Sequence, residues 1–139
     1  MITGLLHAHS GLSYLVTLLI VAVFIKSLSG LSNKSFGIKD LKLSLFALIA
    51  THIQLLLGLV LFSDKFSHLG SYMSAAAPRL RFVEHPVMMI VVAVLITIAH
   101  SKSKKSTDAA KTQKMRVILY GISILLIALR VLPLWMKTA

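Results

Sequence analysis

The sequence predicts an all-α integral membrane protein, an antiparallel bundle of four transmembrane helices, on three observations. The 139 residues are 57% hydrophobic and only 14% charged, where a soluble domain carries roughly 25% charged residues. Four apolar stretches, Leu5 to Ile25, Leu43 to Phe62, Phe82 to Ala99 and Val117 to Trp135, each approach the roughly 20 residues that cross a hydrocarbon core of about 30 Å. Their runs are continuous and lack the alternating pattern of an outer-membrane barrel strand.

The first helix, expected over about 5–27, has no basic residue before it and no small-x-small cleavage site after it, so it reads as retained rather than as a secretory leader. Ser29, Gly30, Ser32, Asn33 and Gly37 punctuate a short first loop, which makes helices one and two antiparallel neighbours. Helix two is expected over 42–63. The next loop mixes Asp64, Lys65 and His68 with Gly70, Tyr72 and the Ala75 to Ala77 run; a short interfacial helix is expected to start at Pro78, since proline suits a first helical turn. Helix three is expected over 80–100, a solvated basic linker follows, and helix four covers 115–136, with Pro133 and Trp135 at an interfacial boundary. Residues 1–139 are thus expected to form a single four-helix transmembrane domain with no room for a separate soluble one.

The charge is asymmetric, with fifteen Lys and Arg against four Asp and Glu and a net +11. Lys26, Lys34, Lys39 and Lys42 surround the first loop, and Lys102, Lys104, Lys105, Lys111, Lys114 and Arg116 surround the third. Both loops must lie on one side, and the positive-inside rule makes that side the cytoplasm. The expectation is a multi-pass protein of the inner (cytoplasmic) membrane with both termini on the outer, periplasmic side. Basicity here signals topology and lipid contact rather than nucleic-acid binding. Cysteine is absent, which removes disulfides, thiolate metal sites, thiol catalysis and thioether-linked haem.

Polar groups inside a membrane are costly, about 2.5 to 3.5 kcal/mol for Arg, Lys or Asp near a helix centre, so each needs a reason. The exceptions are His7, His9, His52, Gln54, Glu84, His85, His100 and Arg130. In this topology His7, His9, Glu84, His85 and Arg130 share the outer third of the bilayer, His52 lies near its centre and His100 at the opposite end. Three stripes are expected to face the bundle interior: His7, Gly11 and Tyr14 on helix one; Thr51, Gln54 and Gly58 on helix two; Arg116, Tyr120, Ser123 and Arg130 on helix four. A glycine one turn from a histidine leaves room for a flat group against the backbone.

Two imidazoles from different helices at one depth, without cysteine, are what a bis-histidine b-type haem requires, and six-coordination favours electron transfer. Arg79, Arg81, Lys65 and Arg130 would offer donors to the propionates. Each histidine taken alone is also an ordinary interfacial residue, and the convergence of several is what favours a ligand pair. Met88 and Met89 read as packing, and Glu84 paired with Arg130 is the plainest account of those two charges. His52 is either a further ligand, a proton carrier or an interhelical hydrogen-bonding residue.

These residues resemble the heme A synthase family. His7-Ala-His9-Ser-Gly11-Leu is similar to the His-Arg-x-x-Gly start of a ligand helix in that family, and Gln54-Leu-Leu-Leu-Gly58 is similar to the Gln-x-x-x-Gly run of its following helix. Glu84-His85 resembles the opening of the helix that supplies the opposite axial ligand. The resemblance implies that His7 and His85 ligate the haem iron, with Gly11 four residues after His7; His9 and His52 are the alternatives. Ala8 stands where the family has Arg, and one four-helix set stands where the family has two, so the resemblance implies the haem-binding scaffold rather than haem A synthesis. The chain also resembles small membrane cytochromes b.

The function expected is therefore a cytochrome carrying one haem b near the outer face and exchanging electrons with a quinone or a redox-partner membrane protein, alone or as an oligomer. The alternative is a non-catalytic structural or assembly subunit of a larger membrane complex. A third expectation is a haem-modifying or proton-handling enzyme using Glu84 and His52.

Overall fold

In the computed structural model the backbone is described for residues 2–63 and 85–138, and the side chains for 4–60, Leu6 excepted, and 86–129. Four helices account for nearly all of it: α1 (Ile2–Asn33), α2 (Ile38–Ser63), α3 (His85–Lys105) and α4 (Ala109–Thr138), with no strand among the described residues. Each is long and apolar enough to cross a membrane. They pack as a ring in which α1 and α3 each touch α2 and α4, so α1 and α3 face each other diagonally. The α1–α2 and α3–α4 connections lie together at one end, here the loop end; the amino terminus of α1 and the carboxyl terminus of α4 lie at the other, the terminal end.

The helices outrun their apolar segments at the loop end. Ser29, Gly30, Ser32 and Asn33 belong to α1 rather than to a loop, and Lys102, Lys104, Lys105, Lys111 and Lys114 stand on helices instead of forming a linker. Only residues 34–37 and 106–108 connect them. At about 1.5 Å per residue, the 32 residues of α1 run to about 48 Å, beyond the hydrocarbon thickness alone. The expected start of helix three at 80 and the interfacial helix at Pro78 fall outside the described residues.

Local chemistry fixes these short connections. The amides of Lys34 and Ser35 donate to the carbonyls of Leu31 and Gly30, a Schellman closure that puts Lys34 at φ 53°, where glycine is commoner. Three residues on, the Gly37 amide donates to Asp40 Oδ2 at 2.8 Å while the Asp40 amide donates to the Gly37 carbonyl, as in a capping box with glycine at its first position. At α4 the Lys111 amide donates to Asp108 Oδ1 at 3.2 Å, capping that helix through an aspartate.

Val16, Ile20, Val23, Ala47, Ala50, Val92, Ile96, Ala99, Tyr120 and Ile127 form the core. Its small residues let the backbones approach, which matters because lipid is as apolar as leucine and association rests on packing and interhelical hydrogen bonds. The outer surface is equally apolar, with Leu18, Phe46, Leu56, Val94 and Leu125 exposed.

Candidate functional site

At the terminal end the two histidines of α1 separate by face. Two residues correspond to about 200° of helical turn, so they cannot share one. His7 is exposed, and so are Gly11 and Tyr14, the latter at 62%; a methyl group added at Gly11 would meet nothing within 4 Å. The stripe expected to line the interior therefore looks outward. His9 is half-buried against α2. Its ring lies over Gly58, where an added Cβ would stand 3.1 Å from His9 Cε1, and Gln54 Nε2 donates to the His9 carbonyl at 2.8 Å. Gln54 and Gly58, one turn apart, thus grip His9 from backbone and side chain together. The Thr51, Gln54 and Gly58 stripe does face inward, with Thr51 buried and the other two half-buried.

His52 sits on the outer surface of α2, not in the core. Its Nδ1 is 2.8 Å from the Leu48 carbonyl, and Thr97 Oγ1 of α3 lies 3.5 Å from its Nε2. This contact sets the register of α2 against α3: with 52 opposite 97, antiparallel counting puts Gly58 opposite residue 91. His85, the first residue of α3, is six residues beyond that, about 9 Å nearer the terminal end. His7, two residues beyond His9, is closer to it in depth. Arg79, Arg81, Glu84 and Lys65 lie outside the described residues, as do the side chains of His85 and Arg130. Among the described residues no three of His, Asp and Glu gather as a metal group; a bis-histidine site needs only two.

The loop end holds a second polar cluster. Arg116 of α4 has no exposed surface, and its guanidinium reaches all three other helices: Nε donates to Ser27 Oγ of α1 at 3.3 Å, Nη1 to Ser103 Oγ of α3 at 3.3 Å and Nη2 to the Asp40 carbonyl of α2 at 3.1 Å. The rings of Phe36 and Tyr120 stand 5.1 and 5.9 Å from its central carbon, within cation–π range. The nearby carboxylate of Asp40 serves Gly37 and, at 3.8 Å, Lys26. Gln113, also fully buried, donates from Nε2 to the Ser35 carbonyl at 2.7 Å and fills the space beside Gly30, whose missing Cβ would collide with its amide. His100 is buried too, with Nδ1 2.8 Å from Ser44 Oγ.

The inward stripe of Arg116, Tyr120 and Ser123 was legible from helical spacing, and all three are buried. Arg116, however, also counts among the charges flanking the third loop, and nothing in the sequence marks it as the residue that joins four helices. His100 beside Lys102 reads as an interfacial histidine; its partner Ser44 is 56 positions away. No protein-family model, curated protein or solved structure matches the chain, so the likeness to the heme A synthase family rests on the quoted residues alone.

Proposed function

We propose that the chain is a b-type haem protein of the membrane, holding one haem near the terminal end between His85 and a histidine of α1, and passing electrons to or from a quinone or a redox-partner membrane protein. The observation that supports the reading is the inward imidazole of His9 over the Cβ-free surface of Gly58. A haem held by two histidines would take neutral imidazole nitrogens from two helices across the bundle, and α1 and α3 are diagonal in the ring. Face thus favours His9 over His7 as the α1 ligand, although His7 and Gly11 carry the family likeness. Bound haem would supply a one-electron carrier. The chain's own residues would orient it: Gln54 holds the backbone of α1 at His9, and Arg79, Arg81 and Arg130 are the donors available to propionates. By the positive-inside rule the loop end is cytoplasmic and the haem end faces the periplasm across the inner membrane.

The test is an absorbance spectrum. Protein purified from haem-replete cells should show a reduced-minus-oxidised b-type difference corresponding to one haem per chain, lost in His85→Ala. A colourless wild-type preparation would overturn the proposal.

A second reading, a non-catalytic subunit of a larger membrane complex, is favoured by His52. A histidine on the membrane-facing surface is unusual, because intramembrane ionisable groups nearly always face protein or water. Stoichiometric copurification with other membrane subunits, with no haem spectrum, would establish that reading instead.

A further inference from the structure

A cleft of about 540 Å³ opens between the end of α3 and the start of α4, lined by Lys102, Lys105, Thr107, Lys111 and Met115 among others. The three lysines are exposed, and among the described residues none has a carboxylate within 4 Å. Asp108 shares the cleft, but one of its carboxylate oxygens caps α4 through the Lys111 amide. Three cations against one partly engaged anion leave a basic cleft, contributed by two helices.

Its position identifies the occupant. The apolar runs of α3 and α4 stop at Ala99 and start at Val117, and the cleft lies on the helical turns just beyond them, the level at which headgroups replace hydrocarbon. From it, apolar surface runs inward along both helices: Ile118, Ile122 and Leu125 continue the line of Met115 on α4, and Ile98, Val94 and Val91 continue the line of Lys102 on α3. All six are exposed. A soluble phosphate would use only the lysines. A phospholipid would use both surfaces, with its phosphate among the ammonium groups and its acyl chains along the apolar lines. Basic pockets between transmembrane helices are suited to anionic headgroups for this reason.

We propose that this cleft is a binding site for an anionic phospholipid, independent of any haem at the other end. The experiment uses the full chain in a neutral detergent, with phosphatidylglycerol and phosphatidylcholine of identical acyl chains offered together and the retained lipid counted by native mass spectrometry. Wild type should retain the anionic lipid about tenfold over the zwitterionic one. Substituting the cleft lysines together (K102Q, K105Q and K111Q) should abolish that preference with unchanged thermal unfolding, since all three are exposed. The matched substitution of Lys34, Lys39 and Lys42, exposed lysines at the same end, should keep it. Equal retention of both lipids by wild type overturns the proposal. So does equal loss in both triple variants, which means unlocalised charge attraction, and so does full displacement by millimolar inorganic phosphate, which means a soluble-anion site.

Discussion

The two ends of the bundle solve the problem of polar groups in an apolar protein in opposite ways. At the loop end a buried guanidinium donates to one partner on each of the other three helices, Gln113 bridges to the first loop, and His100 meets Ser44 across α2 and α3. At the terminal end Gln54 donates to the His9 carbonyl across α1 and α2, and His7, Gly11 and Tyr14 are exposed on the outward side of α1. Since hydrogen bonds and packing, not the hydrophobic effect, hold helices together in lipid, the loop end clamps the fold.

Removing the clamp should therefore have the largest effect. Arg116→Ala leaves two buried hydroxyls and the Asp40 carbonyl without their donor and should cost about 3 kcal/mol or more, measured as reversible unfolding in detergent. A cost near zero would mean that the loop end does not hold the bundle. Gly30→Ala should come next, at about 1 to 3 kcal/mol, because the new methyl group would press on the Gln113 amide and stand 2.9 Å from the Ser35 carbonyl. An unchanged melting point there would show that Gln113 yields freely. At the other end Gly11→Ala meets open space and should be neutral or stabilising by up to about 1 kcal/mol, the helical preference of alanine over glycine. A loss of stability would show that the outward face of α1 is covered.

The contrast also explains which features could be read from the chain. Four long apolar runs settle the helix count, because in lipid the backbone must satisfy itself. Helix faces are harder. Both the interior and the lipid side are apolar here, so a small polar stripe such as His7, Gly11 and Tyr14 carries no sign of which way it points. The stripe of Arg116, Tyr120 and Ser123 has the same spacing and does point inward, because the Arg116 guanidinium finds a partner on each of the other three helices, which its place beside the third loop does not announce. Gly30 misled for a physical reason: glycine marks turns but also close approach, and here it makes room for Gln113 in the middle of a helical turn. Helix ends were underestimated because counting apolar residues stops at the first lysine, whereas an amphipathic lysine on a helix can extend its charged head to water.

The haem assignment turns on the opposition between face and depth at the terminal end. His9 faces α2 over Gly58, while His7 faces outward and lies nearer to His85 in depth. The most direct measurement is bound haem per chain, from the reduced-minus-oxidised spectrum, in His7→Ala and His9→Ala prepared side by side with wild type. We expect His9→Ala to lose most of the haem and His7→Ala to retain it; retention in His9→Ala with loss in His7→Ala, or full retention in both, would contradict the inward-ligand account.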